Sequence, residues 1–155
     1  ADIGLATAAE TEGIARRRLF SDAFGAVVPA GHPLAGRAAC GWADLAGERF
    51  ISNGLCDLIP DAAFAPIREG AGLRVPNTTS LLALVRAAVG VTVLPRLALA
   101  RGEAGVAFVP LEALGTRREV HLLTRAGRPL APAARAFADE IAGARDLWSG
   151  ALQAD

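Results

Sequence analysis

The chain has 155 residues, of which 52% are hydrophobic and 21% charged, and its formal net charge at pH 7 is +0. This size and composition suit one globular domain or a two-lobed unit, and they exclude a disordered chain and a small disulfide-stabilised fold. All 16 basic residues are arginine, which also excludes the lysine chemistry of a Walker A loop, a Schiff base or pyridoxal phosphate.

The first half of the chain alternates short apolar runs with helical patterns. The runs rich in β-branched and apolar residues predict strands, and Gly47, Asn53-Gly54 and Gly70 mark places where elements stop. Strands are predicted over 3–6, 15–20, 23–28, 49–52 and 73–75, one helix over 42–46, and another helix from Asp57 or Asp61 through Ile67.

The segment after Asn77 has the clearest helical pattern. Thr78, Thr79 and Ser80 offer three successive N-cap hydroxyls, apolar residues then recur at helical spacing, and Gly90 is predicted to end the helix. Further strands are predicted over 91–94, 106–111 and 120–124, with a turn at 117–118 and a last helix beginning at Pro132. This alternation predicts an α/β fold with a mixed, largely parallel sheet, whose ligand sites lie where strand ends meet helix N-termini.

The sequence contains no motif for catalysis or metal binding. Its serines lie outside any GxSxG pattern, neither histidine has an acid–hydroxyl or acid–thiol neighbourhood, and Cys40 and Cys56 belong to no CxxC pair. We therefore expect no enzyme activity, no metal, no cofactor and two reduced thiols. Neither a membrane span nor a signal peptide is visible, which favours a soluble cytoplasmic protein.

Two polar clusters are candidates for ligand binding. The three hydroxyls at 78–80 exceed the one that an N-cap needs, and free N–H groups with partial positive charge gather at the same helix end, where a small anion could bind. Ordinary capping with two exposed hydroxyls is the alternative. Ser52, Asn53 and Gly54 follow a buried strand and supply donors and close backbone approach, although such a triplet is also typical of an ordinary turn.

Four segments of the chain resemble a known family in their order and spacing. They are VVPAGHPLA at 27–35, DLAGERFI at 44–51, LVRAAVGVTVLP at 84–95 and PAARAF at 132–137. Together they make the chain resemble the effector-binding domain of LysR-type transcriptional regulators. The helix followed by GVTVLP is the most specific of the four.

The resemblance implies a periplasmic-binding-protein-like (type II) α/β fold of two lobes, with a small-molecule inducer in the cleft. On this basis residues 20–126 form the complete second lobe, and 1–19 with 127–155 form part of the first. Family members begin with a winged helix-turn-helix, a linker helix and the opening units of the first lobe, and Asp2-Ile3-Gly4-Leu5 resembles the strand that follows them. We therefore expect DNA binding only through a helix-turn-helix that is absent from this sequence.

The leading interpretation is a ligand-sensing domain of a transcription regulator that forms a homodimer or larger oligomer. The alternative is a solute-binding protein of a transport system on the same fold, against which the absence of a signal peptide argues. The expected effector is a small carboxylate or another compact polar metabolite. In the resembled fold the loops at 52–54 and 77–79 face the cleft. The predicted effector-binding residues are Ser52, Asn53, Gly54, Asn77, Thr78, Thr79 and Ser80.

Overall fold

The computed structural model describes residues 2–7, 10–99, 102–112 and 116–144, and it divides the chain into two compact units. Residues 23–117 make up the continuous unit, and residues 1–22 and 118–155 make up the discontinuous unit. The chain therefore leaves the discontinuous unit after Asp22 and re-enters it at Arg118. The lobe boundaries that the resemblance implies, 20–126 against 1–19 and 127–155, stay a prediction.

Seven strands, four α-helices and two 3-10 helices occur in the described part of the chain. In order they are β1 (Ile3–Ala6), β2 (Ile14–Pro29), α1 (Trp42–Leu45), β3 (Ile51–Ser52), a 3-10 helix (Gly54–Leu58), α2 (Ala65–Glu69), β4 (Leu73–Arg74), α3 (Thr78–Arg86), β5 (Thr92–Pro95), a second 3-10 helix (Arg96–Leu99), β6 (Val106–Pro110), β7 (Arg117–Arg125) and α4 (Pro132–Gly143).

The continuous unit is built on a mixed sheet. The second half of β2 lies between β5 and β6 and is antiparallel to both. Beyond β5 lie β3 and β4, which are parallel to each other, and the Phe50–Val91 bridge makes the start of β5 parallel to β3. The strand order in this unit is therefore β4-β3-β5-β2-β6, and the N–H of Ile51 donates to the carbonyl of Val91 at 2.8 Å. The mixed sheet agrees with the prediction, but the expectation of a largely parallel sheet is wrong, because β2 is antiparallel to both β5 and β6.

Both faces of this sheet are covered by apolar side chains. On one face α3 buries Leu81, Leu82 and Val85 in a cluster that includes Ile51 and Leu94. On the other face Phe24, Trp42, Phe50 and Phe64 belong to a second cluster, in which the Trp42 and Phe64 rings stack 4.4 Å apart. Burial on both faces explains why the run at 91–94 is apolar at nearly every position.

The discontinuous unit has the strand order β1-β7-β2. β1 is antiparallel to β7, with Ile3 opposite Thr124, and α4 packs against the sheet through Ala138 and Ala142. The strand at 3–6 and the helix from Pro132 lie where they were predicted. Phe137 is 55% exposed. In the described part of the chain, every helix is too short to cross a bilayer.

Two predicted interruptions are absent. The strands predicted over 15–20 and 23–28 are one strand, β2, and the turn predicted at 117–118 is the start of β7. The cause is a buried ion pair, in which Nη2 and Nε of Arg118 donate to Oδ2 of Asp22 at 3.0 and 3.3 Å. Because Asp22 has a partner on the neighbouring strand, its charge does not interrupt β2.

The helix predicted from Asp57 or Asp61 through Ile67 is two separate pieces. Ile59 precedes Pro60 and has extended backbone angles (φ −98°, ψ 103°), as a residue before proline prefers. The 3-10 helix therefore ends at Leu58 and α2 begins only at Ala65.

Gly90 does not end α3 as predicted. The helix ends at Arg86, and Ala88 adopts a left-handed φ of 56°. The N–H groups of Ala88 and Val89 donate to the carbonyls of Val85 and Leu84 at 2.9 and 3.0 Å, which is a Schellman motif with alanine at the usual glycine position. Gly90 is required for another reason, because a Cβ there would lie 2.3 Å from the carbonyl oxygen of Arg49.

Candidate functional site

Asn53 closes the end of β3, and its side chain is fully used within the protein. Its Oδ1 accepts a hydrogen bond from the N–H of Leu55 (2.9 Å), which caps the 3-10 helix. Its Nδ2 donates to Oγ1 of Thr92 (3.1 Å) and to the carbonyl of Val93 (3.0 Å). Asn53 and Thr92 are both buried. Asn53 therefore positions the loop that follows β3, and its amide is not free to bind a ligand.

The N-terminus of α3 is capped by Asn77, so the prediction of three N-cap hydroxyls is wrong. The Oδ1 of Asn77 accepts a hydrogen bond from the N–H of Ser80 (3.0 Å), which places Thr78, Thr79 and Ser80 in the first helical turn. Asn77 has the extended backbone that an N-cap needs (φ −96°, ψ 123°). Thr78 and Thr79 are exposed, and among the described residues their N–H and hydroxyl groups have no hydrogen-bond partner.

The two predicted segments come together at one pocket of the continuous unit. The pocket has a volume of about 290 Å³ and is formed by the start of the 3-10 helix, the chain after β4 and the first turn of α3. Its lining residues are Asn53, Gly54, Leu55, Val75, Pro76, Thr78 and Leu81. Three of the seven predicted site residues thus line one pocket, and their role in effector binding stays a prediction.

The other four predicted residues do not line this pocket. Ser52 is buried at the end of β3, and its Oγ lies 3.5 Å from Nη1 of Arg74. Asn77 is occupied as the N-cap, and the side chains of Thr79 and Ser80 are exposed on the first turn of α3. These residues therefore support the pocket or lie beside it.

The pocket lining combines apolar side chains with hydrogen-bond donors. Leu55, Val75 and Leu81 supply apolar surface, and no charged side chain of the described residues lines the pocket. The first turn of α3 presents the unpaired N–H and hydroxyl groups of Thr78, where the helix places a partial positive charge. A ligand with an acceptor group and an apolar body suits this arrangement.

An ion pair lies beside the pocket. Nη2 of Arg74 is 2.6 Å from Oδ2 of Asp57. This hydrogen bond lowers the pKa of Asp57 and raises the pKa of Arg74. The positive charge of Arg74 is therefore already matched by a carboxylate.

The sequence interpretation missed Thr92 and the apolar wall of the pocket. Thr92 is a hydroxyl residue within the apolar run at 91–94, and that break in the run was the available signal for a buried hydrogen bond. Its hydroxyl donates to the carbonyl of Ile51 at 2.7 Å. Leu55 and Val75 gave no such signal, because apolar residues beside a ligand have the same pattern as apolar residues in a core.

Both cysteines are free and buried. Burial is the largest cause of the raised pKa of Cys40 and of Cys56, so both thiols are protonated and weakly nucleophilic at neutral pH. Among the described residues, no group of three His, Cys, Asp or Glu side chains is arranged to hold a metal ion.

Comparison with known proteins shows similarity to one family of regulators. The family model described as LysR substrate binding domain matches residues 1–145. The chain is 30% identical over 151 residues to the DNA-binding transcriptional dual regulator OxyR of Escherichia coli K12, which covers 92% of this chain and 49% of that protein. The chain thus spans about half the length of the curated relatives it matches.

Solved structures agree with this match. The reduced form of OxyR has 28% sequence identity and a TM-score of 0.73, covering 93% of this chain and 70% of that one. The effector-binding domain of QuiR in complex with shikimate has 24% identity and a TM-score of 0.74, covering 94% and 72%. The regulatory domain of CcmR from Synechocystis PCC6803 in complex with 2-PG has 16% identity and a TM-score of 0.76, covering 93% and 73%. These matches confirm the predicted type II periplasmic-binding-protein-like fold class.

Proposed function

The chain belongs to the LysR substrate-binding domain family, and from this membership we propose that it senses a small-molecule effector on behalf of a transcription regulator. The observation that supports the proposal most directly is the pocket of about 290 Å³ at which Asn53, Gly54 and Thr78 meet. Family membership favours sensing over the alternative, solute binding for transport. In this proposal the domain binds its effector and catalyses no reaction.

We propose a small carboxylate with an apolar body as the effector. The unpaired donors of Thr78 at the start of α3 suit a carboxylate, and the walls formed by Leu55, Val75 and Leu81 suit a hydrocarbon part. Shikimate, the ligand of QuiR in its complex, is also a small carboxylate, but its ring carries three hydroxyl groups. Ser52 and Asn77 support the proposed site through the end of β3 and the cap of α3. Thr79 and Ser80 are exposed and lie outside its lining.

Peroxide sensing is not favoured by the structure. Several relatives are named hydrogen peroxide-inducible genes activators, and a redox-sensing thiol needs an accessible cysteine with a lowered pKa. Cys40 and Cys56 are instead buried with raised pKa values.

We also propose that the protein works in the cytoplasm as a homodimer or larger oligomer, with DNA contacted by a helix-turn-helix outside this sequence. The exposed apolar side chains of Leu5, Ile14 and Phe137 in the discontinuous unit support association. Sedimentation equilibrium measures the mass directly, and a stable monomer of 15.9 kDa would contradict the oligomer.

Calorimetric titration with four matched compounds tests the ligand class. Benzoate, benzylamine and benzyl alcohol share one ring and differ in charge, and acetate keeps the carboxylate without the ring. We expect benzoate to bind more tightly than the other three. Tight binding of benzylamine alone would overturn the proposal.

A pair of neighbouring variants tests the pocket itself. Thr78→Val removes one hydroxyl donor from the pocket lining, so the affinity for benzoate should fall roughly fivefold. Thr79→Val is the matched control, because Thr79 is exposed in the same turn and does not line the pocket. Neither variant should lower the melting temperature much, since Asn77 provides the cap. Equal benzoate affinities for Thr78→Val and the wild type would show that the Thr78 hydroxyl does not bind the ligand.

A further inference from the structure

The ion pair beside the pocket connects two segments that form its walls. Arg74 is the last residue of β4, and Asp57 lies in the 3-10 helix Gly54–Leu58. The residue after Arg74 is Val75, and Leu55 lies two residues before Asp57; both line the pocket. The 2.6 Å contact between Arg74 and Asp57 therefore ties these two walls to each other.

The same guanidinium also contacts the third segment that leads into the pocket. Its Nη1 lies 3.5 Å from Oγ of Ser52, which is buried immediately before Asn53. One arginine side chain thus contacts the end of β3 and the 3-10 helix from its position on β4.

Buried residues anchor the inner side of the 3-10 helix, whereas its outer side is exposed. Cys56 and Ile59 are buried in the core and anchor the inner side. Gly54, Asp57 and Leu58 are on the exposed side, and a 3-10 helix of five residues has little stability of its own. The Arg74–Asp57 contact is the ion pair that restrains this outer side among the described residues.

We propose that Arg74 is a positioning residue for the effector pocket, which it serves by holding Asp57 and thereby fixing the 3-10 helix that presents Gly54 and Leu55. The link to the effector rests on the proposed function, whereas the restraint on the helix does not. Both side chains of the pair are about half exposed, so its loss affects global stability little and acts on the local segment.

Hydrogen–deuterium exchange of the whole chain tests the restraint without any ligand. In Arg74→Met and in Asp57→Asn, amides of residues 54–59 should exchange about threefold faster than in the wild type. The charge-swapped double variant Arg74→Asp/Asp57→Arg should return toward the wild-type rate. Arg37→Met is the matched control, because it breaks a similarly exposed ion pair with Asp44 in the same unit and should leave 54–59 unchanged.

Benzoate titration of the same variants tests the link to binding. Arg74→Met should weaken benzoate about fivefold at an unchanged melting temperature, and the swap should recover part of the loss. Failure of the wild type to bind benzoate would count against the proposed ligand class and leave the exchange result to decide the role of Arg74. The proposal would be overturned if the amides of residues 54–59 exchanged in Arg74→Met at the same rate as in the wild type.

Discussion

Asp22 is a fully buried charged residue of the discontinuous unit. Its side chain has no exposed surface, and the Arg118 side chain that pairs with it is 17% exposed. Arg118→Met should lower the free energy of unfolding by about 3 kcal/mol, because it removes a cation that donates two hydrogen bonds to the buried carboxylate of Asp22. Urea unfolding measures this loss.

Two further variants identify the cause of that loss. Arg17→Met removes an exposed arginine from the same strand, β2, and should change stability little. Asp22→Asn combined with Arg118→Met should be more stable than Arg118→Met alone, since the double variant buries no charge at position 22. A loss of under roughly 1 kcal/mol for Arg118→Met would show that the contribution of this ion pair is no larger than that of a surface pair.

The two buried cysteines should react slowly with thiol reagents in the native protein. Because a thiolate is the reacting species, the raised pKa values and burial of Cys40 and Cys56 should make the native protein react with Ellman's reagent only as fast as it opens. Cys40→Ser and Cys56→Ser assign each thiol, and added urea should accelerate both reactions. Rapid stoichiometric labelling of either thiol without urea would contradict this.

At the scale of elements, the end of α3 is strained. Ala88 has a left-handed φ of 56°, and this conformation costs an alanine about 1–2 kcal/mol that glycine avoids. Ala88 is also exposed, so its methyl group contributes little packing. Ala88→Gly should therefore raise the free energy of unfolding by about 1 kcal/mol.

Its neighbour Ala87 is the control. Ala87 is also exposed, and its φ of −78° requires no glycine. Ala87→Gly should lower the stability by roughly 0.5–1 kcal/mol, because it only adds freedom to the unfolded chain. Thermal or urea unfolding should thus show changes of opposite sign in the free energy of unfolding of the two variants. Changes of the same sign would show that Ala88 is not strained.

The elements that the sequence predicts well are those with a local cause. β1, the start of α4 and the apolar run of β5 follow from patterns within a few residues. β2 could not be predicted as one strand, because Ser21-Asp22 has the composition of a turn and the partner of Asp22 is 96 positions away. The sequence also did not identify Asn77 as the N-cap, since asparagine, serine and threonine are all good caps.

The same distinction applies to the candidate site. Gly54 and Thr78 were predicted because Ser52 and Asn53 supply donors at a strand end and three hydroxyls stand in succession at a helix start, although ordinary turns and caps share these patterns. Their convergence on one pocket came from the family resemblance, since no local pattern brings 52–54 next to 77–79. Arg74 was missed because an exposed arginine on a short strand has many equivalents in the chain.

At the scale of the whole molecule, the continuous unit should fold by itself. Its two ends are adjacent, since the N–H of Phe24 donates to the carbonyl of Thr116 at 2.8 Å, and both of its apolar clusters lie within residues 23–117. A fragment of these residues should unfold cooperatively in urea. A broad transition with exposed apolar surface would show instead that it needs the remaining chain.

The discontinuity of the other unit has a consequence for synthesis on the ribosome. β1 and the first half of β2 emerge early, but β7, which pairs with β1, emerges only from residue 117 onward. In that interval the continuous unit can fold and bring positions 24 and 116 together. The later pairing of β7 with β1 then costs less loop-closure entropy, because the folded unit has already brought the ends of the intervening chain together. Nascent chains that stop before residue 117 would therefore expose an unpaired strand edge, which favours aggregation.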